Sequence, residues 1–270
     1  MKLTGLKLTE PLQAPAASGL DAIAPLVRPV FVSDLHLSGR NKKTVLSFLW
    51  FLKTQARRFE ELFLLGDIFE YWIGDDACSP AEFLARALRK YASLGKRIYM
   101  MQGNRDFLLG CDFARHCGAE LIKDGIVVEG AGSRILLSHG DKWCTLDEEY
   151  QDFRRRMHDE AFQINALRMT VQERIDFAKK ARAQSKQTKT VRSREMMDVV
   201  KTEIDAEVAS KNCLHVIHGH THRPAHYVCE GYTRTVLPDW DLDDKARPRR
   251  GWVEINSAGV PQVVLSEHLL

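Results

Sequence analysis

The chain lacks any continuous apolar run of the about 18 residues that a membrane-spanning helix needs, so contact with a membrane would come from its surface. It also lacks a strong charge of one sign. Its formal net charge is +3, so we expect no nucleic acid as a partner and only local basic surfaces. None of its six cysteines forms a Cys-x-x-Cys pair, which argues against a thiolate zinc site and predicts free thiols in a reducing cytosol.

Residues 1–28 offer no uninterrupted apolar core of the kind that a signal peptide contains. Charged residues and the prolines Pro11, Pro15 and Pro25 interrupt the apolar stretches. We therefore expect an N-terminal extension that is loose or only partly docked, and the sequence leaves its role open.

Three histidines in five residues, His218–His222, directly follow the apolar run Leu214–Ile217. This position predicts a turn at the end of a buried strand, where side chains point into a crevice. The pattern alone is as typical of a solvated loop as of a metal site. Four earlier segments share its form, an apolar run that ends at residues able to bind a metal ion. They are Val30–Val32 with Asp34 and His36, Glu61–Leu65 with Asp67, Arg97–Met101 with Asn104 and Arg105, and Arg134–Leu137 with His139.

The five segments together predict one site. Right-handed crossovers bring the ends of parallel strands to one edge of a sheet, so we expect the segments to meet there, although each alone could be an ordinary turn. Their ligands are oxygen and nitrogen without thiolate, which suits Mn²⁺, Fe²⁺ or Zn²⁺. A shared carboxylate flanked by histidines and an amide oxygen is what a two-metal hydrolase needs to hold its ions about 3.5–4 Å apart.

The order Asp-x-His, Gly-Asp, Gly-Asn-Arg-Asp, His-Gly and His-Gly-His-x-His, from about Val30 to Arg223, closely resembles the calcineurin-like metallophosphoesterases. Four segments narrow the resemblance to the UDP-2,3-diacylglucosamine diphosphatases. They are Gly66–Glu70, Trp72–Asp76, Gly103–Gly110 and His218–Pro224. The resemblance implies an α/β fold, a four-layer α/β/β/α metallophosphoesterase core at residues 29–145 and 200–270 with an inserted helical lid at residues 146–199.

The resemblance also implies two divalent metal ions, with Mn²⁺ as the expected ion. One ion would be held by Asp34, His36, Asp67 and His222, and the other by Asp67, Asn104, His139 and His220, with Asp67 as the bridge. The catalytic residues would be Asp67, Asn104, Arg105 and His139. His218 matches no ligand position, and we expect it to have a supporting or structural role.

Substrate contacts of the family correspond to Asn104, Arg105, Asp147, Ser185, Lys189, Arg192 and His220. The chain departs from the family pattern at two of these positions. Lys189 stands where asparagine is familiar, which leaves the contact with uridine or sugar open. Arg192 stands where lysine is familiar, which keeps the charge.

Arg105 narrows the expected chemistry. In many members of the superfamily that this chain resembles, a histidine stands at this position, where it can protonate an alkoxide leaving group. Arginine donates no proton at neutral pH, but its guanidinium can neutralise charge that builds up on phosphate. When a pyrophosphate bond is cleaved, the leaving group is a phosphate, a weak base that needs little protonation. The sequence therefore favours hydrolysis of a diphosphate.

The long segment between His139 and His218 exceeds what a loop needs. Helical patterning is present in Tyr150–Met157, Phe162–Leu167 and Val171–Phe177. Their apolar faces either pack against the core or, as the resemblance implies, form a lid that holds acyl chains. The stretch 178–194 is basic and contains no acid, which predicts a solvated helix face or a surface for the nucleotide diphosphate and anionic lipid headgroups.

Four further predictions concern the scaffold. We expect one helix over Lys42–Arg58, and a second over Pro80–Leu94 that begins with a capping box at Ser79 and Glu82. Asp75 and Asp76 are interpreted as a solvated acidic turn rather than as ligands. The segments 236–240 and 251–255 are predicted to complete a second sheet, and the charged loop 241–250 has no interpretation from the sequence.

The predicted activity is hydrolysis of UDP-2,3-diacylglucosamine to UMP and 2,3-diacylglucosamine 1-phosphate (lipid X), a step of lipid A biosynthesis, by a metal-activated hydroxide. The alternatives are a metal-dependent phosphodiesterase or nuclease of the same superfamily, and a non-catalytic scaffold, against which the complete ligand set argues. We expect a monomer on the cytoplasmic face of the bacterial inner membrane. Its partners would be a lipid-linked nucleotide sugar substrate and an anionic membrane surface, and the metal used in the cell and the acyl length are left open.

Overall fold

Two β-sheets that pack face to face form the centre of the fold in this computed structural model, which describes residues 13–15, 19–189 and 195–266. The strands are β1 (Pro29–Val32), β2 (Glu61–Leu65), β3 (Arg97–Met101), β4 (Glu120–Ile122), β5 (Ile126–Gly130), β6 (Ser133–Ser138), β7 (His215–His218), β8 (Ala225–Val228), β9 (Thr233–Val236), β10 (Gly251–Ile255) and β11 (Pro261–Leu265). The first sheet has the order β11-β10-β1-β2-β3-β4, and the second has the order β5-β6-β7-β9-β8.

Parallel pairing places the functional strand ends on the same side of each sheet. β1, β2, β3 and β4 pair in parallel in the first sheet, and β6, β7 and β9 do so in the second. Parallel strands need crossover connections, and the crossovers supply the helices of the fold. These are α1 (Lys42–Lys53), α2 (Glu82–Ala92), α3 (Cys111–His116), α4 (Glu148–Met157), α5 (Glu160–Arg168), α6 (Val171–Lys189) and α7 (Lys201–Lys211).

The alternation of side chains along each strand explains the layers. Phe31, Phe63 and Tyr99 stack between the two sheets with ring centroids 4.9 Å apart, and they pack against side chains of the second sheet such as Ile135. The neighbouring positions face outward, where α1 and α2 cover the first sheet and α7 covers the second. The predicted four-layer α/β/β/α core is therefore confirmed, and helices α4 to α6 are inserted between β6 and α7.

Two predictions about the sheets are wrong. The five strand ends do not belong to one sheet, because β1, β2 and β3 lie in the first sheet and β6 and β7 lie in the second. β10 does not complete the second sheet either. It pairs antiparallel with β1 at the otherwise open side of that strand, and residues 237–240 are not in a strand. Sequence periodicity reports that a strand is buried but does not report its partner.

The first predicted helix is shorter than expected. α1 ends at Lys53, and a separate 3₁₀ turn follows at Ala56–Arg58. On α1, Leu46 is 59% exposed, whereas the polar residues Thr44 and Ser47 are buried. Thr44 and Ser47 face the charged loop 241–250, which bonds to both of their hydroxyl groups.

The second predicted helix begins later than expected, and the capping box is absent. Ser79–Ala81 forms a 3₁₀ turn, and α2 starts at Glu82 without a side-chain cap. The Glu82 carboxylate instead contacts Arg89 and His116, each at 2.7 Å.

The described part of the N-terminal extension is docked along the sheet edges. The Leu20 N–H donates to the Leu121 carbonyl of β4 at 2.8 Å, and the Leu26 N–H donates to the Glu129 carbonyl of β5 at 2.7 Å. The segment thereby covers one edge of each sheet. Residues 1–12 and 16–18 of the extension lie outside the described residues.

Residues 148–189, which form α4, α5 and α6, are called the arm below. All three helices were predicted, but α6 continues twelve residues beyond the predicted end at Phe177 and finishes at Lys189. Within the described ranges, no helix combines the length and apolarity required to cross a membrane.

Candidate metal centre

Backbone conformation singles out the edge where the functional strands end. Within the described residues, seven non-glycine residues have positive φ, and five of them are predicted ligands. They are Asp34, His36, Asp67, His220 and His222, with φ between 48° and 68°. Such conformations are unfavourable for residues with a Cβ and persist only where the surroundings enforce them. The metal edge is the name used below for Asp34, His36, Asp67, Asn104, His139, His220 and His222.

Three ligands form a first group around Asp34. The His222 Nε2 atom lies 3.3 Å from Asp34 Oδ1 and 3.2 Å from His36 Nε2. The His36 Nε2 atom lies 4.0 Å from the same carboxylate oxygen. The segment after β1 supplies Asp34 and His36, whereas the turn after β7 supplies His222, so the group joins the two sheets.

A second group converges on the Asn104 amide. Its Oδ1 atom lies 3.0 Å from His139 Nε2 and 2.9 Å from His220 Nδ1. The other nitrogen of His139 lies 3.0 Å from the Leu65 carbonyl oxygen, which orients the ring. Glycine is required at position 66, where φ is +86° and a Cβ would stand 2.6 Å from His139 Nδ1.

Asp67 lies between the two groups and directs one oxygen towards each. Its Oδ2 atom is 3.8 Å from His36 Nδ1, and its Oδ1 atom is 3.7 Å from His139 Nε2. Asp34 is also within reach of both sides, since one compact cluster contains Asp34, His36 and His222 and another contains Asp34, Asp67 and His139. The position of Asp67 is the one that a bridging carboxylate requires.

The donor set fits divalent cations. Asp34 and Asp67 are buried, and no described residue gives a hydrogen bond to Asp34 Oδ1 or receives one from His36 Nδ1. Buried polar atoms of this kind are costly unless they are paired or bind a metal. The combination of carboxylate, imidazole and amide groups without sulfur suits Mn²⁺, Fe²⁺ or Zn²⁺.

Charge and burial act on the histidines in opposite directions. Burial lowers the pKa of His139, but Asp67 and other nearby carboxylates outweigh it and raise the pKa to about 9. Burial likewise lowers the pKa of His222, but the carboxylates of Asp239 and Asp34 outweigh it and raise the pKa to about 9. For His220, burial prevails and lowers the pKa to about 3. Positive charge therefore collects beside the carboxylates, where divalent ions would replace the histidine protons.

Sequence reasoning missed the carboxylate that holds two of the ligand turns together. Asp106 is fully buried and accepts backbone N–H bonds from Asp67, Ile68, Phe69 and Gly103 at 2.7–3.2 Å. Burial and the Asp67 charge raise the pKa of Asp106 to about 7. Its place in the Gly-Asn-Arg-Asp segment was a signal, but three of its four partners are almost 40 residues away in the chain.

A second missed carboxylate links the metal edge to the arm. Asp141, just after β6, accepts hydrogen bonds from the Tyr150 hydroxyl at 2.7 Å and from Arg154 Nε at 2.8 Å, both on α4. The Tyr150 ring stacks on His220 with centroids 5.8 Å apart. The side chains of α4 therefore reach the second ligand group directly.

Asp239 and the charged loop 241–250 that follows it support the first ligand group. His222 Nδ1 lies 3.1 Å from Asp239 Oδ2, and Arg249 donates to both oxygens of Asp239 at 2.6–3.0 Å. His218 has the structural position expected for it. It is fully buried, its Nδ1 atom lies 2.9 Å from the Gly219 carbonyl oxygen, and its ring meets Trp143 edge-on at 5.6 Å.

Arg105 lies directly over the metal edge. Its Nε atom is 3.2 Å from Asp67 Oδ2, and its backbone N–H donates to Asp67 Oδ1 at 2.8 Å. The other end of the guanidinium contacts Glu70, whose second oxygen accepts a 2.9 Å hydrogen bond from Arg182 on α6. Glu70 therefore connects Arg105 with the arm.

The interpretation of the Asp75 turn as solvated is wrong. Asp75 is 7% exposed and accepts hydrogen bonds from the Trp72 indole at 2.9 Å, from the Gly110 N–H at 3.0 Å and from the Phe113 N–H at 2.8 Å. Asp76 forms a two-pronged ion pair with Arg174 of α6. The Gly110 and Phe113 donors and the Arg174 partner come from distant segments, so local sequence gave no sign of this burial.

The metal edge opens into a cavity of about 830 Å³ beneath the arm. Its apolar lining comes from the core and the arm, and includes Trp72, Phe107, Phe153, Phe162, Met169 and Phe177. Phe153, Phe162 and Leu167 also pack against the core. The arm therefore has both of the roles that the sequence left open, packing and enclosure.

Most of the predicted substrate residues surround this cavity. Asn104, Arg105, Asp147, Ser185 and His220 line it, and Asp147 also caps α4 by accepting a 3.0 Å hydrogen bond from the Tyr150 N–H. The side chain of Lys189 and the whole of Arg192 lie outside the described residues.

Curated relatives share most of the chain. A UDP-2,3-diacylglucosamine hydrolase of Stenotrophomonas maltophilia is 43% identical over 223 residues, which cover 78% of this chain and 90% of the relative. Proteins of the same name from Chromohalobacter salexigens and Bordetella parapertussis are each 40% identical. The matches cover 83% and 84% of this chain and 90% and 91% of those relatives. No family model matches the chain.

Solved structures resemble the chain more distantly. A structure described as a novel archaeal phosphodiesterase has a TM-score of 0.46 at 12% identity and covers 89% of this chain and 100% of its own. A Vps29 structure with zinc from Entamoeba histolytica has a TM-score of 0.41 at 11% identity, with 89% and 98% coverage.

Proposed function

The chain belongs to the UDP-2,3-diacylglucosamine hydrolase family, and on that premise we propose that it hydrolyses the pyrophosphate bond of UDP-2,3-diacylglucosamine to UMP and 2,3-diacylglucosamine 1-phosphate. This reaction is a step of lipid A biosynthesis. The observation that carries the proposal is the convergence of the metal edge and Arg105 in the lining of a largely apolar cavity. A site for phosphoryl chemistry that opens into apolar surface fits a substrate with a diphosphate at one end and acyl chains at the other.

We propose the ligand sets that the family pattern implies. Asp34, His36, Asp67 and His222 would hold one ion, and Asp67, Asn104, His139 and His220 would hold the other. The two separate groups and the intermediate position of Asp67 support this division. Mn²⁺ is the proposed ion, and its oxygen and nitrogen preferences agree with the donors.

Two divalent ions bound there would supply hydroxide at neutral pH and polarise a phosphoryl oxygen. The Arg105 guanidinium, 3.2 Å from Asp67 and 10% exposed, is positioned to bind a phosphate oxygen and to stabilise charge on the phosphate that leaves. Arg105 offers no transferable proton, and a departing phosphate needs little protonation. The Asn104 amide, oriented between two histidines, completes the polar end of the site.

Acyl chains would occupy the apolar part of the cavity. Its volume of about 830 Å³ lies within the range of about 300–1,000 Å³ that is usual for small-molecule sites. Asp147 and Ser185 line the same cavity, and we propose that they contact the substrate together with Lys189 and Arg192.

The outer surface of the arm supports a peripheral contact with an anionic membrane. Val171 is 39% exposed and does not line the cavity, and Lys179 and Lys180 are exposed on the same helix. Apolar and basic side chains together favour the surface of a bilayer that contains anionic lipids. We propose that the protein acts as a monomer on the cytoplasmic face of the inner membrane.

The test is hydrolysis of UDP-2,3-diacylglucosamine with Mn²⁺ in detergent, beside the same nucleotide sugar without acyl chains and beside an aryl phosphodiester. We expect strong preference for the acylated diphosphate. Equal or better turnover of the two other compounds would contradict the lipid assignment and favour a general phosphodiesterase. A panel of Mn²⁺, Fe²⁺, Zn²⁺ and Mg²⁺ in the same assay tests the choice of ion.

A further inference from the structure

The Asp239 carboxylate stands directly behind a predicted metal ligand. It is 2% exposed, and its Oδ2 atom lies 3.1 Å from His222 Nδ1. The opposite nitrogen of that ring, Nε2, lies 3.3 Å from Asp34 Oδ1 and faces the first ligand group. The imidazole therefore lies between a carboxylate that belongs to the metal edge and one that does not.

We propose that Asp239 is a positioning residue for the metal ion of the first group. It would accept the Nδ1 proton of His222, which fixes the tautomer with its lone pair on Nε2 and aims that lone pair at the ion. A carboxylate in this place also raises the electron-donating capacity of the ring. The inference rests on the proposed function, because it requires that His222 binds a metal ion.

The surroundings of Asp239 hold it in place. The Arg249 Nε atom donates to both carboxylate oxygens, and its Nη2 atom donates to Oδ2. The next residue, Trp240, is 1% exposed, and its backbone N–H donates to the Asp34 carbonyl at 3.1 Å. The Trp240 ring packs edge-on against Phe48 at 5.6 Å. Asp239 is thus anchored to the core and to the segment that carries Asp34.

The neighbouring ligands show why His222 needs this support. The His139 ring is oriented by the Leu65 carbonyl, and its ring is buried on all sides. His222 is more open, with 26% of its side chain exposed, and its backbone has a φ of +54°. A ring on an exposed turn keeps its orientation only if a fixed partner holds its second nitrogen.

Replacing such a partner usually weakens metal binding by about 10- to 100-fold. We expect Asp239→Ala to weaken one of the two Mn²⁺ sites by that factor and to leave the other unchanged. Asp239→Asn should have a smaller effect, because its amide oxygen can still accept the Nδ1 proton. Asp244→Asn is the matched control, since Asp244 contacts Arg249 at 3.3 Å without contacting His222.

The experiment uses the full chain, stripped of metal by a chelator and titrated with Mn²⁺, with free Mn²⁺ measured by electron paramagnetic resonance. Titration with Co²⁺ adds the visible absorption of the bound ion, which reports the geometry of its ligands. We expect one weakened site and an altered Co²⁺ spectrum in Asp239→Ala, recovery of turnover at high Mn²⁺, and wild-type behaviour in Asp244→Asn. Thermal unfolding of each variant shows whether a loss of Mn²⁺ affinity comes from misfolding. If Asp239→Ala is misfolded, the Mn²⁺ titration of Asp239→Asn decides.

Two results would overturn the inference. One is that Asp239→Asn and Asp239→Ala both bind Mn²⁺ at the two sites with the affinities of the wild type. The other is an equal loss at both sites that Asp244→Asn shares, which would assign the effect to the loop and not to His222. A wild-type protein that binds no Mn²⁺ and cleaves no diphosphate would instead contradict the proposed function itself.

Discussion

The metal edge and the arm border the same cavity but are held by different kinds of contact. The predicted ligands of the metal edge follow buried strands directly, and buried hydrogen bonds to acceptors such as Asp106 fix their turns. The arm reaches the core through apolar side chains such as Phe153 and Phe162, and also through long charged side chains. Arg174 contacts Asp76, and Arg182 contacts Glu70.

The two kinds of contact suit two different functions, catalysis at the metal edge and substrate binding at the arm. Catalytic groups must keep their geometry within fractions of an ångström, which short turns on packed strands can provide. A surface that admits flexible acyl chains gains from contacts that can adjust, and the partly exposed ion pair between Arg182 and Glu70 is of that kind. We therefore expect substitutions at the metal edge to reduce turnover of every substrate, and substitutions in the arm to change preference among substrates.

The largest effect is expected for Asp67→Ala. Loss of the carboxylate that faces both ligand groups removes support for both ions, so turnover should fall by more than about 1,000-fold, beyond the range for one lost contact to transition-state charge. Hydrolysis assays together with metal analysis of the purified variant test this. Asp112→Ala is the control, because that carboxylate pairs with Arg115 on the surface of α3. Substantial turnover by Asp67→Ala would refute the two-metal assignment.

Arg105→Ala should have the next largest effect. The guanidinium neutralises charge on phosphate in the proposed reaction, so we expect kcat to fall by about 10²- to 10³-fold while both metal sites remain filled. Arg105→Lys should recover part of the loss, because lysine keeps the charge but lacks the planar fork. Faster turnover of the diphosphate by Arg105→His than by the wild type would show that a proton donor matters and that the assigned role of Arg105 is wrong.

The sequence predicted the metal edge better than any other part of the molecule. β2 and β3 have the predicted bounds, and the polar residue that follows each of them lies at the site. This success has a physical cause, since the strand end and its ligand are adjacent in the chain. Whether two such segments share a sheet depends on long-range pairing, and here the prediction was wrong for β6 and β7.

Supporting residues were predicted poorly for the same reason. Asp106 receives three of its four N–H donors from the turn after β2, and Asp75 receives two from around α3, both distant in sequence. Asp239 reaches His222 only because the chain returns to the core between β9 and β10. A carboxylate of this kind is indistinguishable from a solvated one until the fold brings its partner to it.

In the arm, Phe177→Ala is expected to alter preference more than chemistry. Phe177 lines the cavity, and its ring lies 5.9 Å from Phe162, so its loss removes apolar contact with acyl chains. We expect kcat/KM for the acylated substrate to fall by about 10-fold, with the unacylated nucleotide sugar unaffected. Val171→Ala on the same helix is the control, because Val171 is exposed and is not part of the described lining. Equal losses for both substrates would assign Phe177 to the scaffold.

The smallest effect is expected at the outer face of the arm. Lys179→Gln removes one exposed charge from α6, and a basic residue near an anionic bilayer contributes about 1 kcal/mol to binding. Sedimentation with vesicles of phosphatidylglycerol and phosphatidylethanolamine should therefore show about fivefold weaker binding, with unchanged turnover of detergent-dispersed substrate. Lys96→Gln is the control, because Lys96 pairs with Glu60 on the first sheet, away from the arm. If both variants bound vesicles equally well, the membrane surface would have to lie elsewhere. The difference between the metal edge and the arm would then concern only a rigid metal edge and an adaptable acyl cavity.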